Sequence, residues 1–304
     1  MSTIIPIVFC FDDNLLMPAG ICLNSLLLHA NKDTFYDIFI LHDYRSSFPS
    51  SNHLERLHEV YSNFKIHYRN IGNSFDNAFE IRGITKAAYY RLLIPEVIKE
   101  YEKVFYFDVD IIFRSDLSKI YHETNLDNFY VAGVATPYTD LETYVQKNIK
   151  MNPSGYICSG TILMNSKKML EDQLVPQFKK EAEKEWKYQD QDVLNLVCKE
   201  RIKLLPPWFG VVGTVNEIVS NHDQEYYDTN TVNDILNFGT IHYNGAKPWK
   251  SWCYNFDIWW EYYRKSIYFD QTFYFEFYHN KLVELDNLPL IKRIKILLRY
   301  FFVR

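Results

Sequence analysis

The sequence has no G-x-G-x-x-G turn, no C-x-x-C pair, no uncharged apolar run long enough to span a bilayer and no excess of basic residues, and each absence removes a class of function. Without the glycine-rich turn, backbone N–H groups cannot cradle a nucleotide as they do in dinucleotide enzymes, so side chains and a metal would have to hold one. The five cysteines, Cys10, Cys22, Cys158, Cys198 and Cys253, are odd in number and widely spaced. That argues against a disulfide framework or a zinc site and for a reducing compartment. The amino-terminal stretch has no positively charged lead-in, and its apolar run is interrupted by Pro6 and stopped by Asp12. Neither a signal peptide nor a spanning helix is expected. A formal net charge of -5 argues against a general nucleic-acid binder, because phosphate-backbone affinity needs a basic footprint. The expectation is a cytoplasmic protein, free or held at the membrane surface.

What is present is a chain of 304 residues with 47% hydrophobic content, enough for a large core. The aromatic residues, among them 24 Tyr and 22 Phe, crowd towards the C-terminus from Trp252 to His279. We divide the chain into residues 1–250, an α/β domain, and residues 251–304, an aromatic and basic helical extension. In the first part, apolar strands at Ile4–Phe11, Tyr36–Leu41 and Phe64–Tyr68 alternate with helix patterns at about Ala19–Ala30 and His53–Tyr61. This alternation predicts parallel strands with ligands bound beyond their carboxyl ends. Asp12 and Asn14, directly after the first strand, fall on that rim.

Val104–Leu117, VFYFDVDIIFRSDL, is the central stretch. Its apolar start reads as a strand buried on both faces, and it delivers Asp108 and Asp110 at its end. Two residues apart in extended backbone they point the same way, and like charges there repel. One reading is that both solvate a turn, one as a helix cap. The other is that a hard divalent cation sits between them, its remaining sites filled by phosphate oxygens of a substrate.

Four further stretches bear on this. Ile84–Ile98 is a helix pattern broken at Pro95, and its Arg91 either forms an ion pair or clamps a phosphate or sugar hydroxyl. Ile157–Asn165 reads as a strand whose Gly160 marks a close approach to the backbone. Tyr188–Lys199 reads as a helix carrying Asp190, Gln191 and Asp192 in its first turn, more polar residues than capping needs. Ile241–Trp249, IHYNGAKPW, brings His242, a neutral nitrogen for a metal, together with Lys247, a cation for a diphosphate, around Gly245. Finally, Leu290–Arg304 holds Lys292, Arg293, Lys295, Arg299 and Arg304 and no acid, with Ile291, Ile294, Leu298 and Phe301 at helical spacing, as in an interfacial helix on anionic lipid or a terminal helix docked on the domain.

In order, IVFCFDDN, AAYYRLLIPE, VFYFDVD, YQDQDVLN and IHYNGAKPW resemble glycosyltransferase family eight, and within it the bacterial lipopolysaccharide galactosyl- and glucosyltransferases. The resemblance implies the GT-A fold, a Rossmann-like mixed sheet flanked by helices. It also implies Mn²⁺, with Mg²⁺ as an alternative, and transfer of a hexose from a UDP-sugar to a glycan or glycolipid acceptor with retention of configuration. Under it, Asp108, Asp110 and His242 are the metal ligands. Asp12 and Asn14 read uracil or ribose, and Arg91, Asp108, Val109, Gly245 and Lys247 engage the donor. Asp190 and Gln191 lie beside the anomeric carbon. The chain departs from the family's usual residues at Leu15, where an aromatic is common, and at Cys158, where Asn is common. Self-glucosylation of a tyrosine and non-catalytic binding of a UDP-sugar are the other readings of the same motifs.

Overall fold

The structure, a computed structural model, describes residues 3–75, 77–80, 86–136, 139–212 and 228–302. In β1 (Thr3–Cys10) Ile5, Ile7 and Phe9 join one apolar cluster and Val8 and Cys10 the other. β2 (Thr34–His42) divides in the same way, Ile38 and Ile40 against Phe39 and Leu41, and so does β4 (Lys103–Phe107), Phe105 and Phe107 against Val104 and Tyr106. A period of two that buries both faces is what a central sheet covered by helices requires.

These strands form a seven-stranded sheet with β3 (Phe64–Asn70), β6 (Val131–Ala135), β7 (Ile157–Asn165) and β8 (Ile202–Leu204), in the order β3-β2-β1-β4-β7-β6-β8. The chain runs from β1 outward to β2 and β3 on one side and to β4 on the other, so a crevice opens beyond the carboxyl ends of β1 and β4. The expectation of parallel strands holds for β1 to β4 and for β6 with β8; β7 runs antiparallel to both neighbours. Its register pairs Phe107 with Thr161, and the Asp108 N–H donates to Gly160 O at 2.9 Å. A small second sheet, β5 (Ile111–Ile112), β10 (Ile241–His242) and β9 (Val211–Val212), pairs His242 with Ile111, one residue beyond Asp110.

Two helix expectations are corrected. In place of a helix at His53–Tyr61 there is a 3₁₀ stretch at Glu55–Glu59; across residues 53–61 only Leu54 and Leu57 are buried, too narrow an apolar stripe for a longer helix. In place of the helix Ile84–Ile98 there is a 3₁₀ run, Lys86–Leu93, followed by one α-turn at Ile94–Val97. Pro95 sits in the first turn of the latter, where its missing N–H does no harm, and prevents the α-ladder from continuing across it. Ile84 and Thr85 lie outside the described residues.

The helices Phe256–Lys265 and Gln271–Asp286 close one face of the molecule. Phe256, Trp259, Trp260, Tyr262, Tyr263 and Phe277 belong to the same apolar cluster as Ile5, Phe9 and Phe105, so packing runs without a break across residue 250. Trp260 is fully buried against Phe277 and Tyr263, with its Nε1–H donated to Pro248 O at 3.1 Å. Trp260→Ala is therefore expected to destabilise the whole protein by about 3–5 kcal/mol, read in urea as a shifted single transition rather than as loss of a separate one.

Candidate active site

Three groups of residues converge on the rim. In the first, Asp108 and Asp110 follow β4 through a bend, and β10 carries His242 to both. His242 Nε2 lies 3.5 Å from Asp108 Oδ2 and 3.3 Å from Asp110 Oδ1, and Lys247 Nζ donates to Asp110 Oδ2 and, at 2.7 Å, to Tyr243 O. Burial opposes ionisation of Asp108, yet Arg91 and His242 outweigh it and hold the carboxyl well below its usual range. Asp110 is likewise held down, burial being outweighed by His242 and Lys247. Burial works against charge on His242, but Asp110 and Asp108 raise its pKa well above the ordinary value. Without a metal, the imidazolium and Lys247 balance the two carboxylates.

The cluster fits a hard divalent cation. One ligand atom from each of Asp108, Asp110 and His242 lies within 4.8 Å of the others, and Asp110 Oδ1 is buried with His242 Nε2 3.3 Å away but out of line for a hydrogen bond. Gly160 makes the space: a Cβ there would strike Asp108 Oδ2 and come within 2.5 Å of His242 Cε1. Two carboxylates and an imidazole suit Mn²⁺ or Mg²⁺ better than a thiophilic ion.

In the second group, Arg91 is buried, and its guanidinium is taken up within the protein. Nε donates to Ala88 O at 2.7 Å and lies 3.2 Å from Asp190 Oδ2, Nη1 donates to Ser159 O at 2.7 Å, and Nη2 donates to Asp108 Oδ1 at 2.8 Å. The group stacks over Tyr106, 4.4 Å from the ring centroid, and the Tyr106 hydroxyl donates to Asp108 Oδ1 at 2.5 Å. Asp190 begins the helix Gln189–Cys198 directly after Gln189, which holds a left-handed φ of 46°. A side-chain-bearing residue in that region is strained, and such strain concentrates at functional sites. Burial, reinforced by Asp108 and only partly offset by Arg91, pushes the Asp190 carboxyl up to about 6.

Ser159 ties this group together. Its Oγ donates to Asp190 Oδ2 at 2.9 Å, its N–H donates to Gln191 Oε1 at 3.3 Å, and its carbonyl takes Arg91. We did not single it out from sequence as a site residue. The signal was its place beside Gly160 in a strand already marked for close approach. Asp192 is fully buried and accepts from Tyr144 OH at 2.6 Å, Tyr156 OH at 2.5 Å and Tyr188 N at 2.8 Å, so the third polar residue of that turn braces the helix.

The third group borders an open pocket of about 290 Å³ lined by Asp12, Asn14, Asp43, Arg45, Lys86 and Tyr90 among others. Asp12 caps the turn Asp13–Leu15 through Asn14 N at 3.0 Å. Asp43 pins Arg45 through Nε at 2.8 Å and accepts from Tyr90 OH at 3.2 Å. Val109 is buried in the core between the two aspartates, and Gly245 is exposed in the loop before Lys247 with open space where a Cβ would stand.

A mixed sheet with acidic residues gathered beyond its central strands defines a GT-A glycosyltransferase fold, and the solved structure of LgtC superposes on it with a TM-score of 0.73 at 23% identity, covering 88% of this chain and 98% of that one. The bifunctional glycosyltransferase WbbM gives a TM-score of 0.72 at 24% identity, over 93% of this chain and 52% of that one. At sequence level the chain belongs to glycosyl transferase family 8, whose pattern matches residues 6–253. Among curated relatives, a lipopolysaccharide 1,2-glucosyltransferase of Escherichia coli is 29% identical over 177 residues, 54% of this chain and 50% of that protein. General stress protein A of Bacillus subtilis is 24% identical over 266 residues, 82% of this chain and 88% of that protein. The match to the Escherichia coli enzyme thus spans about half of its length.

The Asp190 carboxyl supplies a test independent of turnover. A group whose pKa is raised from 3.8 unfolded to about 6 folded costs stability once it must ionise, a cost absent below about pH 4 and complete above about pH 6. Asp190→Asn is expected to match the parent's melting temperature at pH 4 and to exceed it above pH 6, followed by calorimetry across that window in the presence of chelator.

Proposed function

We propose that the protein is a retaining, metal-dependent hexosyltransferase that moves glucose or galactose from a UDP-sugar to a hydroxyl of a bacterial surface glycan such as lipopolysaccharide. The observation that carries this reading is the Asp108, Asp110 and His242 cluster, buried but for Asp108 and relieved by Gly160, beyond the carboxyl end of β4. Asp108, Asp110 and His242 would hold Mn²⁺ or Mg²⁺, which when bound supplies Lewis-acid neutralisation of the diphosphate.

The chain's own residues do the rest. Asp12 and Asn14, on the wall of the pocket, bind uracil or ribose. Lys247, which already reaches Asp110, adds positive charge where the UDP diphosphate leaves, Gly245 lets the loop approach it, and Val109 joins the donor site with Asp108. Arg91 fixes Asp108 and Asp190 relative to each other and to the donor sugar. Retention calls for either a carboxylate nucleophile or a front-face path in which the departing phosphate accepts the acceptor's proton. The geometry supports the front-face path: Asp190 Oδ2 is engaged by Ser159 and Arg91, which suits a group that positions and stabilises an oxocarbenium-like sugar, with Gln191 beside it, rather than one that attacks.

The division at residue 250 is one of function, with the extension serving attachment. Its last helix, Leu290–Phe302, leaves Leu290 71%, Ile291 70% and Leu298 49% exposed beside Lys292, Arg293 and Lys295, an apolar stripe next to a basic one. The side chains of Arg299 and Phe301, and Arg304, lie outside the described residues. No described helix is long and apolar enough to cross a membrane, so this one would lie along the inner face on anionic lipid.

A screen of UDP release across UDP-glucose, UDP-galactose and their N-acetyl forms tests the activity. One donor is expected to give metal-dependent release that falls by about 10²-fold or more in Asp108→Ala; UDP binding without release from any donor, acceptors included, would favour a binder. Separately, deleting residues 290–304 is expected to weaken sedimentation with anionic liposomes and leave UDP-sugar hydrolysis intact, and unchanged sedimentation would remove the attachment reading.

A further inference from the structure

We propose that Cys158 is a positioning residue for His242, its sulfur holding the imidazole in the orientation and tautomer that a divalent cation requires; this rests on reading Asp108, Asp110 and His242 as the cation site. Cys158 and Gly160 are two apart in β7. Both stand against the histidine. A Cβ on Gly160 would come within 2.5 Å of His242 Cε1, and Cys158 Sγ lies 3.7 Å from His242 Nδ1. Nε2 on the opposite edge faces the two carboxylates. Three sides of the ring are thus set by β7 and by the aspartates.

The chemistry then assigns the thiol a role. Nε2 can offer its lone pair to a cation only if the ring proton sits on Nδ1. A buried N–H needs an acceptor, and among the described residues the Cys158 sulfur is the group within reach of Nδ1. Histidine ligands ordinarily donate this proton to a carboxylate or a carbonyl, which also raises their basicity. Sulfur accepts weakly, so Cys158 orients the ring with little gain in ligand strength. Cys158 is only 4% exposed and lies outside the apolar clusters that take up Cys10, Cys22 and Cys198, so it fills space beside the polar site.

Mn²⁺ binding to the full chain in the presence of UDP, read from the electron paramagnetic resonance of free Mn²⁺, tests this without turnover. Cys158→Ala is expected to weaken Mn²⁺ binding about tenfold and Cys158→Ser, which keeps an acceptor, to stay within about threefold of the parent. Melting temperatures of the metal-free proteins report folding, and if Cys158→Ala does not fold, Cys158→Val fills the space without offering an acceptor and is read in its place. Parental affinity in the acceptor-free variant, with Asp110→Asn clearly weakened, would overturn the role of Cys158 and leave the cation site standing. Parental protein that binds no Mn²⁺, or Asp110→Asn that binds as well as the parent, would overturn the cation site and this inference with it.

Discussion

Like charge buried in one place is the constraint on which the site depends. Asp108, Asp110 and Asp190 bring three carboxyl groups to one end of the sheet, each less than a tenth exposed except Asp108, and three such groups repel in a low dielectric. Arg91 answers this first. It is buried between Asp108 and Asp190, stacked over Tyr106, and anchored to β7 through Ser159 O. A point charge on a flexible stem could not reach four partners at once; the planar guanidinium can. His242 and Lys247 neutralise the remaining side, and a metal would take over part of that duty when bound.

The sheet exists to hold these groups where each would be unfavourable alone. β1 and β4 bury both faces and run parallel, so the residues that follow each strand, Asp12 after β1 and Asp108 after β4, leave the sheet at the same end. The reversal of β7 is what completes the arrangement. Running antiparallel, it brings Cys158, Ser159 and Gly160 past the end of β4, and the bond from Asp108 N to Gly160 O continues the ladder beyond the last paired residue. Asn195, on the helix that carries Asp190, both accepts from Ile157 N and donates to Ile157 O at 2.9 Å, and this fixes helix and strand in register. The spacing between Ser159 and Asp190 follows from that lock.

Much of this was legible in the sequence where local pattern decides. Unbroken apolar runs mark β1, β2 and β4, the limits of β7 read as Ile157–Asn165, and Gly160 stands out for the close approach that Asp108 and His242 make. What was not legible depends on long-range pairing. Strand direction is set by what lies across the sheet, so nothing local in ICSGTILMN announces the reversal. The 3₁₀ winding around Arg91 follows from Pro95 and from burial on several sides. Cys158 reads in sequence as a departure from a familiar pattern and Ser159 carries no signal of its own; both take their meaning from the partners that β7 brings to them.

Asp192 shows the same limit in the opposite sense. Residue type and place in the helical turn do not separate it from Asp190, two positions away; only the family resemblance does. In the fold the two carboxylates face different surroundings: Asp192 satisfies two tyrosine hydroxyls and a backbone N–H, whereas Asp190 meets Arg91, Ser159 and the crevice. The environment, not the residue type, separates the brace from the candidate catalytic group. A left-handed Gln189 immediately before both sets the direction in which the helix starts. That strain can persist because Asp192 and Asn195 tie the helix down beyond it, so the supporting polar groups are what allow the reactive one to be held in a costly position.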